Sequence, residues 1–129
     1  MNIEEINSLT NRVIAAAIEV HSVLGPGLLE SAYHQALLKE LELRGIKAQK
    51  EVPLPIFYKG YRLESTYRVD ILVEDELILE LKASDPNPYF AQQLLTYLRL
   101  SNKEVGLLLN FKYEKMKDGI QRLRNFDCK

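Results

Sequence analysis

Apolar positions recur at helical spacing near the start of the chain, then every second residue, then in an unbroken run. Ile6, Leu9, Val13, Ala17, Val20 and Leu24 fall three or four apart and predict a helix over residues 3–24. Gly25-Pro26-Gly27 breaks it, and a second helix is expected from about Leu28 to Arg44, with Gly45 as its C-terminal cap. The pattern then changes to period two. Val52, Leu54, Ile56 and Tyr58 alternate with more polar neighbours, so residues 48–58 read as a strand, and Pro53 and Pro55 place it at a sheet edge. Lys59-Gly60 suits a turn into a second strand over residues 62–73. Glu74-Asp75-Glu76 turns the chain again into a third strand over residues 77–83.

Asp85-Pro86-Asn87-Pro88 has the chemistry of a loop and a helix start, and a helix is expected to about Leu100. Val105 to Leu109 is continuously apolar, as in a strand buried on both faces. Residues 119–126 suit either a strand or a short helix. Helix, helix, three strands, helix, strand is an α/β order. A three-stranded meander followed by a helical crossover implies a central mixed sheet flanked by helices.

Burial selects the register of the second hairpin. With a three-residue turn at residues 74–76, Val73 faces Leu77, Ile71 faces Leu79, Val69 faces Leu81 and Tyr67 faces Ala83. That face is wholly apolar. The other face pairs Leu72 with Ile78, Asp70 with Glu80 and Arg68 with Lys82. A two-residue turn would mix charges into both faces, so the three-residue register is preferred. It sets two carboxylates opposite each other in mid-sheet, which is unfavourable unless something compensates. A divalent cation with hard oxygen ligands, magnesium or manganese, is the obvious compensation. Lys82 points to the same side and could orient or deprotonate a water, or stabilise charge on a phosphate. The pattern alone is equally compatible with ordinary charges on a solvent-facing sheet.

Two helices add to this. Glu30 shares a stripe with Tyr33, Leu37 and Leu41, which should face the sheet. A glutamate in a first turn also complements the helix dipole, so this position has a purely structural explanation as well. Gln93 and Tyr97 lie on one inward stripe while Gln92 points out. A buried glutamine needs polar partners, which either a ligand site or a structural hydrogen bond supplies. His21 shares a face with Ile14 and Ile18 and reads as a buried, hydrogen-bonded structural residue, with a role near Glu30 as the rival. His34 falls at the margin of the Tyr33 stripe.

Composition narrows the function classes. The chain has 129 residues, which suits one domain over residues 1–129, and 47% hydrophobic with 27% charged residues is ordinary for a globular protein. No apolar run is long enough to span a bilayer. Residues 1–9 show no basic region followed by an apolar one, so no secretory signal is expected. The single cysteine, Cys128, allows no intrachain disulfide and fits a reducing, cytoplasmic location. A formal net charge of −1 argues against a surface that is one phosphate-binding field. Residues 112–129 carry six basic side chains against three acidic ones, either a solvated tail or a local basic patch.

Together these residues resemble known motifs. Asp70 followed by Glu80-Leu81-Lys82 resembles the Asp…Glu-x-Lys core of the PD-(D/E)xK nuclease superfamily, with Val69 where the superfamily's name has proline. Gln93-Leu94-Leu95-Thr96-Tyr97 resembles the Gln-x-x-x-Tyr motif of its exonuclease-like branch. Gly27-Leu28-Leu29-Glu30-Ser31-Ala32-Tyr33 resembles the signature of the small GxxExxY proteins placed in that superfamily, and residues 106–111 are similar to that family too. The resemblance implies a restriction-endonuclease-like core. It implies Asp70 and Glu80 as metal ligands, Glu30 as a further ligand directly or through water, and Lys82 as the catalytic lysine. Gln93, Tyr97 and Tyr33 would support the site or touch substrate. The expected activity is magnesium- or manganese-dependent hydrolysis of DNA or RNA. The rival is a catalytically silent module of the same fold that binds nucleic acid or a protein partner, as a homodimer or higher homo-oligomer.

Overall fold

The computed structural model describes residues 1–64 and 67–129. Helix α1 spans Ile3–Leu24. Its first turn is closed reciprocally: Asn2 accepts from the Glu5 amide, and Glu5 accepts from the Asn2 amide. Five of the six residues that predicted it are buried, while Leu24, its last residue, lies 39% exposed. Helix α2 spans Glu30–Leu43. Gly45, at φ 70°, ends it by donating to the Glu42 carbonyl while Ile46 donates to that of Leu41. This closure carries Ile46 into the core beside Leu41.

The main sheet contains β1 (Ala48–Pro53), β4 (Arg68–Val73), β5 (Leu77–Lys82), β6 (Val105–Asn110) and β7 (Ile120–Arg124), in the order β1-β4-β5-β6-β7. Helix α3 (Pro88–Ser101) is the crossover that makes β5 and β6 parallel; the other pairings are antiparallel. The sheet is therefore mixed and flanked by helices, as expected.

Two expected boundaries need correction. The strand expected over residues 48–58 stops at Pro53, because Pro53 and Pro55 offer no amide to continue a ladder. Phe57–Tyr58 (β2) and Tyr61–Arg62 (β3) instead form a separate two-stranded ribbon. Its turn, Lys59-Gly60, has both φ angles positive at 49° and 84°, as a tight two-residue turn requires. Of the strand expected over residues 62–73, only β4 joins the main sheet, and residues 65–66 lie outside the described residues. Residues 119–126, open between helix and strand, are mostly strand β7, paired with β6 after a single 3-10 turn at Met116–Gly119.

Helices α1 and α2 cover one face of the sheet, over Leu77, Leu79, Leu81, Val105, Leu107 and Leu109. Helix α3 covers the other through Leu94, Tyr97 and Leu98, over Leu72, Ile78 and Leu108. Strand β6 is buried along both faces, which explains its unbroken apolar run. Its Gly106 lets α3 sit close: a Cβ there would lie 2.9 Å from a Leu94 methyl.

Candidate active site

Near its turn the β4–β5 hairpin is an ordinary ladder. Val73 pairs with Leu77, Leu72 with Ile78 and Ile71 with Leu79, in the register that burial of one face selects. The ladder stops at Ile71. On its other side Asp70 is skipped as well: β1 pairs Lys50 with Ile71 and then Val52 with Val69, passing over Glu51, whose φ is 50°. The expected backbone pairs Val69–Leu81, Arg68–Lys82 and Tyr67–Ala83 do not form. Nor does Val69 share a face with Ile71; it packs with Leu72 and Ile78 under α3, so the side-chain alternation slips by one residue at Asp70.

The carboxylates replace the missing ladder. Asp70 Oδ2 accepts from the Leu81 amide at 2.8 Å, and Glu80 Oε1 accepts from the Asp70 amide at 3.2 Å. Each acid is tied to the other strand through one oxygen, and the two expected partners are brought together in the gap between the strands. Glu80 is only 3% exposed. Burial first, and the neighbouring Asp70 second, push its carboxyl up to about 8, against the opposing pull of Lys82.

Lys82, the last residue of β5, is half-buried, with Nζ 4.7 Å above the centre of the Phe90 ring. Glu30 is the first residue of α2 and is solvent-exposed. Its carboxyl sits above the usual carboxylate range through partial desolvation and then Asp70, while Lys82 and His34 pull it down. Glu30 therefore lies in the field of the same groups. Among the described residues, however, no three His, Cys, Asp or Glu side chains converge as a metal cage.

On α3, Gln93 donates to the Tyr97 hydroxyl at 3.1 Å. Burial raises the Tyr97 hydroxyl's pKa, and the Glu80 charge adds to the effect. Tyr33 is fully buried and stacked on Phe111 at 4.6 Å. Its hydroxyl donates to the Gly25 carbonyl at 2.6 Å and accepts from the Leu28 amide at 3.1 Å, so it fastens the loop that delivers Glu30. His21 is buried, as expected, bonded through Nε2 to the Tyr113 carbonyl at 2.8 Å.

Two contributors were not singled out by the sequence. His34 Nε2 lies 3.1 Å from the Asp70 carbonyl oxygen, tying α2 to β4 beside the site. Its spacing of four from Glu30, the same helical face, is the signal that marks it. Phe90 is the ring under Lys82; it stands three residues before Gln93, on the same side of the helix.

A hard divalent cation fits these residues in a specific way. With one oxygen of each acid bound to an amide, Asp70 and Glu80 can each offer a second. Magnesium favours such a site: one or two carboxylates, with water and substrate oxygens completing the shell. The buried Glu80 charge is the group that such a cation would neutralise. A family model described as the PD-(D/E)XK nuclease superfamily matches residues 7–123. Neither a curated protein nor a solved structure matches the chain.

Proposed function

Because this chain belongs to the PD-(D/E)XK nuclease superfamily, we propose that it hydrolyses phosphodiester bonds of DNA or RNA at Asp70, Glu80 and Lys82. Its five-stranded mixed sheet between helical layers is the restriction-endonuclease-like architecture. Nucleases of this superfamily usually use divalent metals. The single observation that carries the reading is the carboxylate pair occupying the split between β4 and β5.

Asp70 and Glu80 would hold magnesium or manganese. When bound, the ion supplies Lewis-acid polarisation of a phosphate and lowers the pKa of a bound water. The chain's own groups do the rest. Asp70 and Glu80 are held at fixed separation by the amides they accept from. Lys82 sets a positive charge at the rim, where it can hold a water or offset charge growing on the phosphate. Glu30 acts through water, since it stands outside a direct cage. Gln93 and the Tyr97 hydroxyl form a hydrogen-bonded pair along the α3 side and support the site. Placement among the GxxExxY proteins is supported by the Gly27–Tyr33 segment, in which Gly27 has φ 104° and Tyr33 fastens the loop before Glu30.

The test is cleavage of single- and double-stranded DNA and RNA with Mg²⁺ or Mn²⁺. Activity lost in Asp70→Asn, Glu80→Gln and Lys82→Ala supports the reading. No cleavage across such a panel, or cleavage indifferent to these changes, overturns it.

Two observations favour a second reading. The near-neutral charge and the lack of a three-carboxylate cluster among the described residues suit a catalytically silent module, binding nucleic acid or a protein partner as a homo-oligomer. Calorimetry separates the two: metal binding abolished by Asp70→Asn supports the enzyme, and metal-independent nucleic-acid binding supports the module.

A further inference from the structure

The α3 wall of the site continues into a groove of about 370 Å³, within the range of small-molecule sites. Tyr67, just before β4, and Tyr89, in the first turn of α3, line it and are 51% and 57% exposed. Gln93 and Tyr97 line it too, and Tyr89 directly precedes Phe90, the ring under Lys82 Nζ, which sets this end of the groove beside that lysine. Among the described residues no charged side chain lines the groove: Ile56 adds an apolar wall, and Gln92 and Gln93 carry amides. A phosphate calls for cationic or clustered N–H partners, which this lining lacks. Exposed tyrosine faces with nearby amides suit a flat, neutral ring system that can form hydrogen bonds, which is the chemistry of an unpaired nucleobase. Tyr67 is braced for such a contact, because its ring meets Tyr97 edge-on at 6.2 Å and 68° while half of its surface stays open.

The aromatic surface also extends past one base. Ile56 leads into the β2–β3 ribbon, where Phe57, Tyr58 and Tyr61 are each at least 59% exposed. Phe57 lines a second groove that shares Leu100 with the first. Bases paired inside a duplex cannot present their faces to such rings; bases of a single strand can.

We propose that the groove beside the carboxylate pair binds an unpaired nucleobase on Tyr67 and Tyr89, so that the substrate is single-stranded DNA or RNA whose adjoining phosphate reaches Lys82. This rests on the nuclease reading for the role of Lys82, and the experiment separates the two.

Fluorescence anisotropy is measured on the full chain carrying Asp70→Asn, with labelled oligothymidylate, oligouridylate, a duplex of equal length and an abasic strand. One of the two single strands should bind roughly tenfold or more tighter than the duplex. Tyr67→Ala and Tyr89→Ala should each weaken that binding roughly tenfold, the size of one lost stacking contact. Tyr89→Phe should restore it, the salt slope should not change, and the abasic strand should bind as weakly as the intact strand binds the double alanine variant. Equal affinity for duplex or abasic strand, indifference to both tyrosines, or no binding to any probe overturns the proposal. Tyrosine-dependent binding without cleavage by the unmutated chain sinks the nuclease reading and leaves this inference standing. Lys82-dependent cleavage that is unchanged in Tyr67→Ala and Tyr89→Ala does the reverse.

Discussion

The turn end and the open end of the β4–β5 hairpin lie a few residues apart and are stabilised differently. At the turn end, three backbone pairs run from Val73–Leu77 to Ile71–Leu79, and side chains on both faces are buried in apolar cores. At the open end the ladder is gone, and two acidic side chains hold the strands, each accepting one hydrogen bond from a backbone amide. Packing decides the first region; charge and hydrogen bonding decide the second. The backbone pairing between these strands thus ends inside the sheet, and the carboxylates satisfy amides left behind.

The contrast can be broken by substitutions at each end. Leu79→Ala, at a fully buried position, should cost about 2–5 kcal/mol in urea unfolding. Its cleavage per folded molecule should match the parent. Asp70→Asn keeps an oxygen for the Leu81 amide, so its stability cost should stay below about 1.5 kcal/mol. An equal loss from both variants would erase the distinction.

Activity should show the opposite ranking. Lys82→Ala and Asp70→Asn should each lower metal-dependent cleavage by about 10²- to 10³-fold, measured under single-turnover conditions. A tenfold or smaller effect from both would detach the open end from chemistry.

The pH dependence sharpens the comparison further. The Glu80 carboxyl binds its proton more tightly folded than unfolded, at about 8 against an ordinary 4.5. The stability this lends is fully present below about 4.5 and is lost as pH rises through about 8. In chelator, the protein should therefore be more stable at mildly acid than at mildly alkaline pH. Glu80→Gln should flatten that slope, and Mg²⁺ should restore stability to the parent at alkaline pH. A parent that grows more stable with rising pH in chelator would contradict the assignment.

The smallest effect is expected outside the hairpin. Tyr33→Phe removes two hydrogen bonds to the loop before Glu30 but leaves the ring stacked on Phe111. It should cost about 1–2 kcal/mol. Amide exchange should rise at Leu28 and not in β4 or β5.

The sequence was most legible where burial alone chooses the answer. The α1 stripe, the Gly45 cap and the Val73–Leu77 register each follow from hiding apolar groups or from a backbone that only glycine adopts easily. The same rule, carried past Ile71, put Val69 with Ile71 and Arg68 opposite Lys82, and there it failed. It assumes an unbroken ladder, whereas Asp70 and Glu80 win the amides for their side chains. Strand β7 was ambiguous because it is an edge strand with no fully buried residue, so burial imposes little period on it. Glu30 lay on the stripe that predicted it, but as the first residue of α2 it stands at the helix end in solvent. That Gln93 and Tyr97 share one side of α3 was readable from their spacing; the groove they share with Tyr67 and Tyr89 was not, because it joins residues from separate elements.

The two amides at the split have a practical consequence. Because the Asp70 and Leu81 amides donate to carboxylate oxygens rather than to backbone carbonyls, their proton resonances depend on how electron-rich those oxygens are. Protonation, cation loading or an approaching phosphate must each pull on that density. The backbone thus contains a pair of reporters, readable in a nitrogen-15 spectrum without a label on any side chain, whose frequencies register what the site holds while the rest of the sheet stays silent.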